Sequence, residues 1–139
     1  MIPQHIQRRR PMDTTTATTA LIVDDNYFNR DLCTIALEHV GYEVEDAENG
    51  IEALRMLEKD TYDLLVVDLA MPELDGASVI SQIRTQPRHE QMTIIVLTAN
   101  HHMATTEVDL NADYVMYKPI DIEEFSRFAL RLTNMKKSS

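Results

Sequence analysis

A chain of 139 residues is long enough to bury one core without disulfide staples and too short to add a second folded domain. Its formal charge of -10 is uneven. Arg8, Arg9 and Arg10 face only Asp13 in the first thirteen residues, so the remainder carries 10 bases against 22 acids, a surface that repels phosphate backbones and excludes nucleic acid as a partner of the domain. The single cysteine, Cys33, excludes an internal disulfide and suits a reducing compartment, and no apolar run approaches the roughly 18 residues of a membrane span. The expectation is a soluble, cytoplasmic protein with no membrane partner.

Residues 1–17 lack periodicity, contain Pro3 and Pro11 and end in a threonine-rich stretch, which predicts a flexible tail. Met12 is an alternative start that would leave the Arg8–Arg10 cluster as an upstream extension; a basic arm for an anionic partner is the other reading. The domain is expected over 18–134, with a short tail at 135–139. The apolar run Thr19–Val23 predicts a first strand ending in Asp24-Asp25. Phe28, Leu32, Ile35, Ala36, His39 and Val40 then recur at helical spacing, with Asn26 as cap and Gly41 as a left-handed stop. Cys33 falls inside that helix and is read as a core residue.

The more polar strand Tyr42–Ala47 suits a sheet edge, and Asn49-Gly50 turns the chain into a helix over Ile51–Lys59. Tyr62–Asp68 predicts a central strand, followed by a loop at Pro72 and a helix over Gly76–Gln86, capped by Asp75 and ended by Pro87. A fourth strand spans Thr93–Thr98, and His101–Leu110 predicts a weaker helix. A fifth strand, Tyr114–Tyr117, leads through Lys118-Pro119 into a last helix from about Asp121 to Thr133, with Ile122, Phe125, Phe128, Ala129 and Leu132 on one face. Five strands alternating with five helices imply a parallel sheet covered on both faces, its active rim at the carboxyl ends of the strands.

That rim collects chemistry. Four of the strands end in Asp24-Asp25, Asp68, Thr98 and Lys118. Three carboxylates converging within about 5 Å would each repel the next by roughly 3 kcal/mol at an effective dielectric near 20, so the site calls for a cation. Oxygen-only ligands favour Mg²⁺, with Mn²⁺ as a substitute, over zinc. A metal beside an ionised aspartate makes a phosphoryl-transfer site. The carboxylate is the nucleophile, while Thr98 and Lys118 are placed to contact the transferred oxygens.

Leu21-Ile22-Val23-Asp24-Asp25-Asn26, Val66 to Gly76, Leu97-Thr98-Ala99 and Tyr117-Lys118-Pro119 together resemble the receiver domain of bacterial two-component response regulators, over about residues 19–133. The resemblance implies a flavodoxin-like (βα)5 doubly wound sandwich, with a parallel five-stranded sheet in the order 2-1-3-4-5. It implies Asp68 as phosphoacceptor, and Asp24, Asp25, Asp68 and the backbone carbonyl of Ala70 as the Mg²⁺ ligands. It further implies Thr98 as switch hydroxyl, Lys118 as phosphoryl contact and a cis Lys118-Pro119 bond. By the same resemblance the donor is a histidine kinase or histidine phosphotransfer protein, docking near Asn29 and Arg30 on the first helix and the loop after the fifth strand. The output is contact with a downstream protein, as a monomer or a phosphorylation-dependent dimer. The phosphoryl group would be gained and lost by self-catalysis rather than by enzymatic turnover.

The family pattern is broken at Val115, where relatives carry an aromatic switch ring; Tyr114 and Tyr117 flank it and are read as packing residues. The Thr98–Asp113 stretch is shorter than usual. Ala70 and Asn100 stand where relatives tune phosphoryl lifetime, and Ala70 brings no side chain to orient water. His101-His102, adjacent on a helix, cannot share one metal and are read as exposed imidazoles. The expectation is a stand-alone receiver. Its rivals are a phosphorylation-independent interaction platform and a small aspartyl-phosphate phosphohydrolase, which would ordinarily carry an Asp-x-Asp nucleophile motif and a cap domain.

Overall fold

A computed structural model describes residues 18–71, 74–99 and 111–138. The tail at 1–17, Pro72, Asn100, the weak helix at 101–110 and His101-His102 lie outside the described residues. Five parallel strands form one sheet in the order β2-β1-β3-β4-β5, with β1 at Thr18–Val23, β2 at Tyr42–Ala47, β3 at Leu64–Asp68, β4 at Thr93–Thr98 and β5 at Tyr114–Tyr117. This is the flavodoxin-like α/β topology expected from the motifs. The described helices are α1 (Tyr27–His39), α2 (Gly50–Lys59), α3 (Gly76–Arg84) and α4 (Ile122–Ser138), with a single 3₁₀ turn at Pro87–His89.

Local chemistry sets the boundaries. The side chains of Asn26, Asn49 and Asp75 each accept a bond from the amide three residues on, satisfying a donor that the first turn leaves free. Asp121 does the same for Glu124 at 2.9 Å. After α1, Gly41 takes φ +97°, a conformation that strains any residue with a Cβ. α3 stops at Arg84, two residues short of the expected Gln86, and Pro87 opens the 3₁₀ turn. The last helix runs to Ser138, into the stretch read from sequence as a tail.

β1, β3 and β4 are buried on both faces, as a central parallel sheet requires. Leu21, Val23, Leu65, Val67, Ile94 and Val96 point to α2 and α3. Ala20, Ile22, Leu64, Val66, Ile95 and Leu97 point to α1 and α4, meeting Cys33, Leu37, Phe125 and Ala129. Burial raises the Cys33 thiol to about 12, with Asp24 adding to the rise, so the group stays protonated as a core residue should.

At α1 the expected stripe is met only in part. Ala36 is buried with Cys33 and Leu37, and Val40 packs against them, whereas Phe28 is 71% and Ile35 49% exposed. Two apolar stripes fit this helix at the same period, and periodicity does not say which one meets the sheet. In α4, Phe125, Ala129 and Leu132 are buried as expected, while Ile122 at the first turn is exposed.

Candidate functional site

The carboxyl rim is built by strands that stop together. Val23 pairs with Val67 and Asp68 with Leu97, so the ends of β1, β3 and β4 lie side by side. The ladder continues one residue past β3, where the Leu69 amide donates to Leu97 O at 3.2 Å, and one past β1, where the Asp24 amide donates to Ala47 O at 3.2 Å. The acids therefore project from fixed backbone. Oxygens of Asp24, Asp25 and Asp68 all lie within 4.8 Å of one another, with Asp24 and Asp68 buried and Asp25 exposed.

Lys118 enters from the end of β5. Its Nζ stands 3.1 Å from Asp24 Oδ2 and 3.5 Å from Asp68 Oδ2. Asp24 is also fixed by the Asn26 amide, which donates to its Oδ1 at 2.8 Å, and Asp68 receives the Ala70 amide at 3.3 Å. One ammonium does not neutralise three carboxylates. Burial, then the charge of Asp24, push the Asp68 carboxyl above its ordinary range, against the opposing pull of Lys118 and the Ala70 amide. Three carboxylates beside one ammonium leave the pocket short of positive charge, and its all-oxygen donor set fits a small hard dication.

Thr98, the last residue of β4, is 1% exposed, and its carbonyl accepts the Lys118 amide at 3.0 Å. That bond holds the two residues together at the rim, next to the Asp68–Leu97 pair. The Lys118-Pro119 bond is cis. Val115 packs on the α2 and α3 side of the sheet. Tyr114 lies on the opposite side, edge-on to Phe128 at 4.9 Å between centroids, so this ring packs as expected. Tyr117, the other flanking ring, is 43% exposed and pairs in register with Thr98.

Two contributors escaped the sequence reading. Gly76, at the start of α3, lies so close to the acceptor that a Cβ there would stand 2.3 Å from the Asp68 carbonyl oxygen; the sequence marks it only as a helix start. Arg30, read as an exposed docking residue, instead folds back into the rim. Its side chain is 12% exposed, donating from Nε to Asp46 Oδ2 at 2.9 Å and from Nη1 to the Asp24 carbonyl at 2.8 Å. The signal was present, because β2 also ends in an acid near its last residue.

The family model for the response regulator receiver domain matches residues 20–129. The chain belongs to that family. As a receiver it is 38% identical over 118 residues to an uncharacterised 14.6 kDa protein of Leptolyngbya boryana, covering 84% of this chain and 90% of that one. It is 37% identical over 121 residues to the response regulator MprA of Mycobacterium ulcerans, covering 84% of this chain but 51% of the relative, so the receiver spans about half the length of that regulator. Among solved structures, the chemotaxis response regulator CheY4 of Vibrio cholerae superposes with a TM-score of 0.77 at 28% identity, covering 84% of this chain and 99% of the other. The response regulator TrrA of Thermotoga maritima, solved in complex with Mg²⁺-BeF, gives 0.74 at 33% identity, covering 83% and 98%. Receivers are phosphoacceptor signalling domains that meet histidine kinases and downstream effectors. Among the described residues, no helix is long and apolar enough to cross a membrane.

Proposed function

We propose that this receiver accepts a phosphoryl group on Asp68 in a Mg²⁺-dependent reaction, from a phosphohistidine on a histidine kinase or phosphotransfer protein, and signals by protein contact. The observation that carries the reading is the convergence of Asp24, Asp25 and Asp68 within 4.8 Å, with Lys118 between the two buried acids. Asp24, Asp25, Asp68 and the Ala70 carbonyl would hold the metal, and its presence in the TrrA complex supports the assignment. When bound, Mg²⁺ supplies the positive charge that offsets the acids and the phosphoryl oxygens.

An ionised Asp68 oxygen attacks phosphorus in line, a P–Oδ bond forms, and the P–N bond to the donor imidazole breaks with its electron pair returning to the ring. Asp68 is poised for this because it needs no base, only to remain ionised, which Lys118 favours. Once the acceptor oxygen carries the phosphoryl group, Lys118 is free to pair with its oxygens, and the Thr98 hydroxyl stands at the same rim to donate to another.

Acetyl phosphate with Mg²⁺, read by intact mass, tests the proposal. The expected result is a gain of one phosphoryl group that requires Mg²⁺ and disappears in Asp68→Asn. Continuous turnover of acetyl phosphate would instead mark a phosphohydrolase, and the absence of any adduct a platform that works without phosphorylation.

A further inference from the structure

The loop after β1 carries two acids of unequal support. Asp24 is buried and held through both carboxylate oxygens, by the Asn26 amide at 2.8 Å and Lys118 at 3.1 Å. Asp25 is exposed, yet its carboxylate lies within 4.8 Å of the other two. Where an exposed carboxylate can stand relative to two like charges is set by the backbone that carries it together with its rotamer. That backbone is the Asp24–Asp25 peptide, and its carbonyl oxygen belongs to Asp24.

The carbonyl is gripped by Arg30. The Arg30 amide donates to Asn26 O at 3.1 Å, placing the residue in the first turn of α1, and its side chain runs back along the helix toward the rim. Nη1 donates to Asp24 O at 2.8 Å while Nε donates to Asp46 Oδ2 at 2.9 Å, and the guanidinium carbon lies 5.6 Å from the Tyr27 ring centroid. A planar fork held on two edges and by an aromatic face has one orientation, which a lysine cannot reproduce. The Asp24 amide is tied to β2 through Ala47 O and the Asp24 carbonyl to Arg30, so neighbouring peptide planes of the loop are both pinned.

We propose that Arg30, oriented by Asp46, is a positioning residue that fixes the Asp24–Asp25 peptide and thereby presents Asp25 to the metal. This deepens, and rests on, the reading of the acidic pocket as a Mg²⁺-dependent phosphoacceptor site. Arg30 touches neither metal nor phosphoryl group; it acts through the carbonyl that orients the ligand pair. The role differs from donor docking, because the guanidinium is spent on contacts inside the domain.

The sign of one measurement separates positioning from plain electrostatics. Removing a cation near a dication site tightens binding if charge alone matters; removing a positioning residue loosens it. Mg²⁺ titration without any phosphodonor, followed by the amide resonances of Asp25 and Asn26 and by calorimetry, is the readout. Arg30→Gln is expected to weaken Mg²⁺ binding about tenfold, the scale of losing a group that orients a metal ligand. Arg30→Lys, which keeps the charge and so would leave an electrostatic effect unchanged, is expected to recover only part of that loss. Thermal melts confirm folding, and if Arg30→Gln does not fold then Arg30→Lys carries the test alone. Acetyl phosphate, too small to need a docking surface, should phosphorylate both variants more slowly at sub-saturating Mg²⁺ and recover as Mg²⁺ is raised. Wild-type protein that binds Mg²⁺ beside variants that bind equally or more tightly would overturn the role of Arg30 alone. Wild-type protein that binds no Mg²⁺ would overturn the pocket reading and this inference with it.

Discussion

The two rims of the sheet both carry aspartates, and they treat them in opposite ways. At the amino rim, Asp63 precedes β3 and its Oδ2 accepts the Thr19 amide at 2.8 Å and the Thr19 hydroxyl at 3.3 Å. Asp113 precedes β5, and its Oδ2 accepts the Ile94 amide at 2.8 Å and pairs with Arg84 Nη2 at 2.8 Å. At the carboxyl rim Asp24, Asp25 and Asp68 face one another across less than 5 Å, relieved within the described residues chiefly by Lys118. Parallel strands present unpaired N–H groups where they begin, so a carboxylate there is bound by the fold. Where strands end they present carbonyls, and a carboxylate there needs a cation. One rim spends its acids on stability and the other holds them in tension for chemistry.

The comparison breaks most visibly at Gly76, which brings α3 against the Asp68 backbone. Gly76→Ala must displace that backbone, and a loss of about 3 kcal/mol is expected from overpacking, read in urea unfolding, with slowed phosphorylation because the acceptor moves. Unchanged stability would show that α3 can retreat freely from the rim.

Next in size is Asp113→Ala at the amino rim. Losing a bond from a buried amide and a partly exposed ion pair should cost about 2 kcal/mol. Phosphorylation of the molecules that remain folded should be unaffected. A defect in phosphorylation at full folding would mean that the rims are coupled.

The smallest effect has the opposite sign. The folded Asp68 carboxyl titrates above its ordinary range, so ionising it disfavours the fold, and the stability its protonated form contributes is lost as pH rises through the raised value. Without metal, Asp68→Asn should therefore melt higher than wild type at neutral pH, by roughly 1 kcal/mol for relief of one partly screened like-charge contact. The gap should close as pH falls toward the ordinary carboxylate range, and millimolar Mg²⁺ should narrow it at neutral pH by binding wild type more tightly. A variant less stable than wild type at neutral pH would show that Asp68 is already satisfied by its neighbours.

Much of this was legible before any coordinates. Runs such as Leu21-Ile22-Val23 and Leu64-Leu65-Val66-Val67 are apolar throughout, which marks buried parallel strands, and the acids following them had to emerge at one rim. Helix starts were written in Asn26, Asn49 and Asp75. The face of α1 was legible only in part, because the stripe through Phe28, Leu32, Ile35, Ala36 and Val40 overlaps the buried face of Cys33, Ala36 and Leu37, and only docking on the sheet chooses between them. Tyr62 was placed inside β3 although the strand begins at Leu64, since an apolar run does not say where its ladder starts.

By itself, then, the sequence determined the parallel sheet and the acids, hydroxyl and amine at the ends of its strands, since strand ends follow from where apolar runs stop, while the strand order came from the family resemblance. Tertiary structure alone decided what surrounds those groups. Arg30 turns inward because Asp46 and the Asp24 carbonyl lie within reach of a side chain that a helix start would otherwise expose, and Gly76 is required because α3 descends onto Asp68. Both facts depend on how a helix start packs against the strand ends beside it, which the period of a single element does not encode.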